Sequence, residues 1–197
     1  MLLSINPKNP ESRLINRVVE VISKGGIIIY PTDTVWGIGC DATNPKAIKK
    51  VYSIKKRSTE KPLILLMNNV DLLLNYVESI QEIAYKIINT ASRPTTIIYN
   101  NPINLPNMLI HQNTIAIRVI QDSNLKELLN IFARPITSTS ANITGNQTPD
   151  KLENIDNDIK NAVDYIIPES FMNRPVATKA SKLIKLNDNS NIEIIRN

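Results

Sequence analysis

The amino-acid sequence predicts a single α/β domain, residues 1–197, built on a twisted, mixed and open β-sheet with flanking helices. Short apolar runs typical of buried strands recur along the whole chain, and amphipathic segments of helical period separate the first of them. After the midpoint the strands outnumber the helices, so strict strand–helix alternation is lost, which favours a mixed sheet over a purely parallel one. A chain of 197 residues is also an ordinary length for one domain.

Two helices are predicted in the first third of the chain. The first lies in PESRLINRVVEVIS and stops at Lys24-Gly25, a basic residue followed by glycine. The second begins with Asn44 as N-cap and Pro45 at the first helical position. Shorter helices are predicted over residues 71–77, 80–88 and 124–132.

Strands are predicted wherever a short apolar run is bounded by turn residues. They cover residues 27–30, 63–67, 95–99, 114–120, 135–141, 164–168, 181–186 and 192–196. The polar segment 142–160 is interpreted as one long connection.

The composition restricts the chemistry that the chain can perform. Cys40 is the single cysteine and His111 the single histidine, so an internal disulfide, a structural zinc site and a cysteine–histidine pair are disfavoured. No apolar run approaches the ~20 residues of a membrane span, and the first ten residues do not have the layout of a signal peptide. We therefore expect a soluble, cytoplasmic protein without a membrane partner. The net charge of +5 favours an anionic partner.

Glycine is concentrated in one region. Four of the five glycines lie between residues 25 and 39, around the stretch YPTDTVWGIG. The residues Gly37 to Ala42 fit GxGxxA, but three residues intervene before the next helix opens, which argues against a dinucleotide fingerprint. The simpler interpretation is a tight turn in which glycine supplies backbone conformations that other residues resist.

Three cations follow the second helix. By helical spacing Lys55 projects toward the protein body, and Arg57 and Lys61 come shortly after it. A lysine reaching past the core edge to water would explain Lys55 alone. Together the three cations favour a phosphate site.

Polar residues also occupy predicted strands. Ser138, Ser140 and Asn142 alternate, which predicts that their side chains share one face. Arg118 lies inside the apolar run TIAIRVI. Because a buried guanidinium is costly unless paired, either a structural carboxylate or a ligand anion must meet it.

These segments together resemble a known family. YPTDTVWGIGCDA, IKKR followed by KP, TIAIRV and STSANITGNQTP, in this order, are similar to the YrdC/TsaC family of threonylcarbamoyl-AMP synthases, over about residues 25–196. The resemblance implies a YrdC-like fold with a deep basic cavity, in the short, single-domain form. It further implies a nucleotidyltransferase that joins L-threonine, bicarbonate or CO₂ and ATP into threonylcarbamoyl-AMP and pyrophosphate. The adenylate would then serve the downstream transferase machinery that makes threonylcarbamoyladenosine in tRNA.

The resemblance also implies roles for individual residues. Lys55 and Arg57 match the K-x-R element expected to be catalytic, with Mg²⁺ carried by ATP and no protein metal site. The positions implied for ATP are Lys55, Arg57, Lys61, Thr114, Ser140, Asn142, Thr148 and Arg196. Those implied for threonine are Thr34, Arg118, Ser138 and Ser181.

The sequence departs from the family pattern at several positions. A GPLT-like element is replaced by SRPTT at residues 92–96, and an STVVD-like element by SKLIK at residues 181–185. Leu66 stands where a polar threonine-contacting residue is expected, and Trp36 where tyrosine is commoner. Two alternatives therefore stay open: a non-catalytic RNA-binding module, suggested by the basic pI, and a paralogue acting on another carbamate or adenylate.

Overall fold

A single mixed sheet forms the centre of the structure. In the computed structural model, which describes residues 10–172, 179–187 and 191–197, nine strands pair in the order β7-β1-β2-β6-β3-β5-β4-β8-β9. The strands are β1 (Ile28–Tyr30), β2 (Gly37–Gly39), β3 (Ile64–Met67), β4 (Thr95–Asn100), β5 (Thr114–Val119), β6 (Ile136–Ser140), β7 (Tyr165–Ile166), β8 (Lys182–Leu186) and β9 (Ile192–Arg196). The pairs β1–β7, β3–β5 and β4–β8 are parallel and the others antiparallel. The predicted mixed α/β sheet is confirmed.

Helices lie on both faces of this sheet. They are α1 (Pro10–Ser23), α2 (Pro45–Ile54), α3 (Val70–Leu73), α4 (Glu82–Thr90), α5 (Ser123–Phe132) and α6 (Asn157–Ala162). Asn44 caps α2 as predicted, since its side chain accepts hydrogen bonds from the backbone of Lys46 and Ala47. Gly25, at φ +81°, follows the end of α1 in the left-handed conformation that glycine favours. None of the helices in the described ranges combines the length and apolar character of a membrane span.

Three elements of the secondary structure, β2, α3 and α4, differ from the prediction. The strand β2 was missed, because its sequence Gly-Ile-Gly contains no apolar run. The helix predicted over 71–77 is the short α3, and the one predicted over 80–88 is α4, which begins and ends two residues later. The long connection 142–160 contains a 3₁₀ turn, Leu152–Asn154, and the start of α6.

Two apolar clusters hold the layers together. Helices α1 and α5 pack on one face of the sheet, against Ile28, Leu66 and Ile136. Helices α2, α3, α4 and α6 contribute to the cluster on the other face, around Ile38 and Leu65. Burial of these side chains supplies the main driving force for folding.

Part of the α1/α5 face is left open. The register aligns Ile64 with Ser138, Ile64 with Ala116, and Ala116 with Ile98. Ile64, Ala116 and Ile98 are only half-buried, whereas Leu66, one row further along, is fully covered. We call this uncovered region, centred on Ile64, Ala116 and Ile98, the open face.

The glycines of β2 are required for space, and the predicted tight turn is wrong for them. Among the described residues, the glycines with positive φ are Gly25 and Gly145, not Gly37 or Gly39. A Cβ atom added to Gly39 would lie 1.8 Å from the carbonyl oxygen of Thr137 in the neighbouring strand β6. At Gly37 an added Cβ would meet the Tyr30 ring at 3.2 Å. Gly39 therefore allows β2 and β6 to approach closely.

We expect Gly39→Ala to lower the free energy of unfolding by about 1–3 kcal/mol or more, because backbone must move to admit the methyl group. Gly37→Ala is the matched control in the same strand, and its effect should be smaller because a side chain can shift. Urea unfolding of the two variants measures the difference. Equal losses of stability would contradict the steric role of Gly39.

Candidate functional site

Lys55 joins the end of α2 to the end of β6. Its side chain is buried, and Nζ donates hydrogen bonds to the carbonyl oxygens of Ser140 and of Asn142, the latter at 2.6 Å. In return, the backbone nitrogen and hydroxyl of Thr144 both donate to the Lys55 carbonyl oxygen at 3.0 Å. Burial lowers the pKa of the Lys55 ammonium to about 8, and the neighbouring Arg57 guanidinium acts in the same direction. Lys55 does not extend to water, so it is not a surface lysine.

The loop after α2 is shaped by Arg57. Its Nε donates to the carbonyl oxygen of Lys61 and its Nη2 to that of Pro62, each at 3.0 Å. Arg57 is half-buried, while the Lys61 side chain is exposed. The loop thus holds the guanidinium beside Lys55 and leaves Lys61 in solvent.

Strand β6 presents two of its predicted polar residues to the open face. Ser138 pairs with Ile64 and Ser140 with Gly37, so the two serines share one face of the sheet. Asn142 differs from the prediction, because β6 ends at Ser140 and Asn142 lies in the bend that follows. Its Nδ2 donates to the carbonyl oxygens of two nearby loop residues. Its Oδ1 is buried without a hydrogen-bond partner among the described residues.

Arg118 has a carboxylate neighbour within the protein. It is 3% exposed, and its Nη2 lies 3.1 Å from Oδ1 of Asp33, in the turn between β1 and β2. This is the structural carboxylate that the sequence left as one of two alternatives. The Nε atom of Arg118 is buried and has no hydrogen-bond partner in the described parts of the chain. The ion pair therefore leaves donor capacity on the guanidinium.

A row of residues crosses the sheet beside Arg118. Thr96 lies opposite Arg118 by extension of the β4–β5 register, and Leu183 pairs with both Thr96 and Arg196. The hydroxyls of Thr96 and Ser181 are hydrogen-bonded at 2.8 Å. Arg196 Nε and Nη2 donate to the Ser181 carbonyl oxygen at 3.1 and 3.0 Å. Thr96 was not among the predicted site residues; its segment was singled out only as a departure from the family pattern.

Positive charge accumulates at this end of the site. The pKa of Arg196 is lowered, first by burial and then by the nearby guanidinium groups of Arg118 and Arg93. Among the described residues, Arg118 forms a salt bridge with Asp33, and neither Arg93 nor Arg196 forms one. The three arginines thus have an excess of positive charge that an anion can neutralise.

The remaining predicted site residues are three threonines, which range from buried to exposed. Thr34 is buried, and its hydroxyl is hydrogen-bonded to that of Thr32 at 2.8 Å. Thr114 is half-buried and donates to the His111 carbonyl oxygen at 2.7 Å. Thr148 is exposed in the connection that follows β6.

A cavity of about 260 Å³ lies on the other side of the sheet, between α4 and strands β4 and β5. Its walls include Ile97, Ile117 and Arg93, and it reaches Asp33. It does not contain Lys55, Ser140 or Arg118, so it is not the deep basic cavity expected from the sequence. That cavity stays a prediction.

The departures from the family pattern fall on different faces. Leu66 is fully buried in the cluster formed with α1 and α5, so its side chain is not exposed to a ligand. Trp36 is also buried, on the opposite face. In β8, Lys185 pairs with Ile98 and shares the open face, whereas Lys182 alternates to the other side.

Comparison with known proteins shows consistent similarities. The chain is 33% identical to a putative threonylcarbamoyl-AMP synthase of Methanocaldococcus jannaschii over 198 residues, covering 98% of this chain and 91% of that protein. It is 37% identical to the threonylcarbamoyl-AMP synthase of Aliivibrio fischeri over 136 residues, covering 66% of this chain and 73% of that protein.

Solved structures share the fold. Escherichia coli YciO superposes with a TM-score of 0.81 at 27% identity, covering 95% of this chain and 90% of YciO. P. abyssi Sua5 complexed with L-threonine superposes with a TM-score of 0.78 at 24% identity, covering 91% of this chain. This chain spans about half, 52%, of that Sua5 chain.

The family comparison covers nearly all of the described structure. The Sua5/YciO/YrdC model, which carries the description "Telomere recombination", matches residues 20–197 and so includes every strand of the sheet. The chain belongs to the Sua5/YciO/YrdC family.

Proposed function

We propose that this protein is a threonylcarbamoyl-AMP synthase that uses L-threonine, bicarbonate or CO₂, and ATP. The observation that carries the proposal is the buried Lys55 ammonium, which donates hydrogen bonds to the backbone carbonyl oxygens of Ser140 and Asn142. Lys55 is distant in sequence from Ser140 and Asn142, and each of the three is a position that the family resemblance implies for ATP. The names of the relatives from M. jannaschii and A. fischeri support the same activity.

The proposed chemistry needs positioned charge more than a protein nucleophile. The amino group of threonine combines with CO₂ to give a carbamate and releases a proton. A carbamate oxygen then attacks the α-phosphorus of ATP, and the bond to the β-phosphate oxygen breaks to release pyrophosphate. Both reactants are anions, so cations are required to offset their repulsion and stabilise the leaving group.

The phosphates are assigned to the end of α2. The Lys55 ammonium has three N–H donors and uses two of them on carbonyl oxygens, which leaves one for a phosphate oxygen. Arg57, held by its loop, and the exposed Lys61 would contribute further charge. Mg²⁺ would be carried on the phosphates of ATP, which are its usual ligands in nucleotide sites.

The threonine is assigned to the region around Arg118. Its guanidinium would bind the carboxylate of the amino acid, with Thr34, Ser138 and Ser181 around the rest of the molecule. The remaining nucleotide positions implied by the resemblance are Thr114, Ser140, Asn142, Thr148 and Arg196. The product adenylate would pass to the machinery that forms threonylcarbamoyladenosine in tRNA, and the cytoplasmic location expected from the sequence stays a prediction.

A single incubation with L-threonine, bicarbonate, ATP and Mg²⁺ tests the activity. We expect pyrophosphate release that depends on threonine, and we expect Lys55→Ala to reduce kcat/KM for ATP by about 10- to 100-fold through loss of a charge-assisted contact. Lys56→Ala, which removes the neighbouring exposed lysine, is the matched control and should change little. No threonine-dependent pyrophosphate from the wild-type protein would refute the proposed activity. RNA binding that survives Lys55→Ala would favour the RNA-binding alternative.

The pH dependence follows from the pKa of Lys55. Because burial lowers that pKa to about 8, the ammonium is charged at neutral pH and loses its charge as the pH rises through that value. We therefore expect kcat/KM for ATP to fall above about pH 8, since this parameter reports groups of the free enzyme. Lys56→Ala should retain the fall and Lys55→Ala should lose it. A wild-type profile that stays flat to pH 9.5 would contradict a phosphate contact by charged Lys55.

Replacing Arg118 distinguishes a role in binding the threonine carboxylate from a role in the ion pair with Asp33 alone. If the guanidinium binds the threonine carboxylate, Arg118→Lys should raise KM for threonine by about tenfold, because the ammonium cannot make the planar, bidentate contact. KM for ATP should change much less, and the melting temperature should change little because a cation still faces Asp33. A lower melting temperature without a threonine-specific defect would show that Arg118 serves the ion pair alone.

A further inference from the structure

The pairing of Asp33 with Arg118 gives Asp33 a role that the family resemblance did not assign. The side chains are 16% and 4% exposed, so this ion pair is largely shielded from solvent. Asp33 lies in the turn between β1 and β2, where the hydroxyl of Thr32 accepts hydrogen bonds from the backbone nitrogens of Thr34 and Val35. The turn is therefore braced independently of Arg118, and it presents the carboxylate from a fixed position.

The contact between the two side chains is incomplete. It joins one oxygen, Oδ1 of Asp33, to one nitrogen, Nη2 of Arg118. Its geometry is not that of a hydrogen bond, and both Asp33 Oδ1 and Arg118 Nε lack a hydrogen-bond partner among the described residues. A purely structural pair would be expected to use the bidentate geometry that arginine and a carboxylate can form. Here Asp33 restrains the guanidinium and leaves donors of Arg118 unused.

The surrounding charge permits a second carboxylate. Arg196 lies near both Arg118 and Arg93, so Asp33 offsets only part of the positive charge at this end of the site. An amino-acid carboxylate arriving at Arg118 would still meet net attraction.

We propose that Asp33 is a positioning residue, which orients Arg118 so that its remaining donors meet the carboxylate of the amino-acid substrate. This inference rests on the proposed function. It differs from the alternative in which Asp33 occupies Arg118 and competes with the substrate. The two hypotheses predict opposite changes in threonine affinity. Loss of the Asp33 charge weakens threonine binding if Asp33 positions Arg118, and strengthens it if Asp33 competes with the substrate.

The test compares two aspartates that each pair with an arginine. Asp41 is buried and contacts Nη1 of Arg134 at 2.6 Å, near Ile136 at the start of β6 and away from Ser140 at its end. Asp41→Asn is therefore a matched control for the loss of a carboxylate from a shielded pair. Asp33→Asn should raise KM for L-threonine by about tenfold or more with little change in KM for ATP. Asp41→Asn should leave the ratio of the two constants unchanged, whatever it does to the melting temperature.

A ligand without a carboxylate provides a second readout. L-threoninol, used as a competitive inhibitor against L-threonine, lacks the group that Arg118 would bind. Asp33→Asn should leave the inhibition constant of L-threoninol nearly unchanged while weakening the binding of L-threonine. Asp33→Glu should restore part of the preference for the ligand that has a carboxylate. A merely structural role would weaken both ligands alike.

The outcomes separate this inference from the proposed function. Pyrophosphate release by the wild-type protein together with an unchanged or lower KM for threonine in Asp33→Asn would overturn the positioning role and leave the activity intact. The positioning role would also be overturned if Asp33→Asn raised KM for L-threonine and KM for ATP in parallel and Asp41→Asn did the same. If the wild-type protein releases no threonine-dependent pyrophosphate, the proposed function fails. Calorimetric titration with L-threonine then tests the positioning role directly. Equal binding by the wild-type protein and Asp33→Asn, or no binding by either, would overturn that role.

Discussion

The burial of one lysine charge determines how the parts of the site are joined. An ammonium taken out of water must be met by hydrogen-bond acceptors, and Lys55 finds them in the last carbonyl of β6 and in the bend after it. Thr144 then returns two hydrogen bonds to the Lys55 carbonyl oxygen. The end of α2, the end of β6 and the following connection are consequently fixed to one another. Arg57 lies beside Lys55, and its guanidinium is held by the carbonyl oxygens of Lys61 and Pro62.

The position of the site follows from how far the helices extend over the sheet. Helices α1 and α5 cover Leu66 and Ile136, but they leave Ile64, Ala116 and Ile98 half-exposed. Arg118 pairs with Leu66 and therefore lies at the boundary between the covered and open parts. A guanidinium at such a boundary is shielded enough to interact strongly with an anion, yet it remains beside a surface that a ligand can reach. The apolar core and the polar site are thus adjacent parts of one face.

Local sequence signals predicted the mixed sheet, the capped start of α2 and the inward direction of Lys55, because each depends on spacing or on residues close in the chain. Long-range pairings could not be predicted in this way. Arg118 required an anion, but nothing in its own strand identified Asp33 as that partner. Gly39 was attributed to a turn because only the β6 register reveals the close approach of Thr137. The contact of Thr96 with Ser181 was likewise not predicted, since it depends on the register of β4 with β5 and β8.

The sheet register also limits which departures from the family pattern can affect a ligand. Leu66 is buried in the α1/α5 cluster and Lys182 alternates away from the open face, so neither side chain lies exposed on the face to which the substrates are assigned. The Thr96–Ser181 hydroxyl pair is present beside Arg196, so the polar groups of that row are retained despite the altered segments. Lys185 is different, because it shares the open face with Ile98 and stands where the family pattern has a carboxylate. The altered segment therefore makes this end of the open face more positive, where an anionic nucleotide would be attracted rather than repelled.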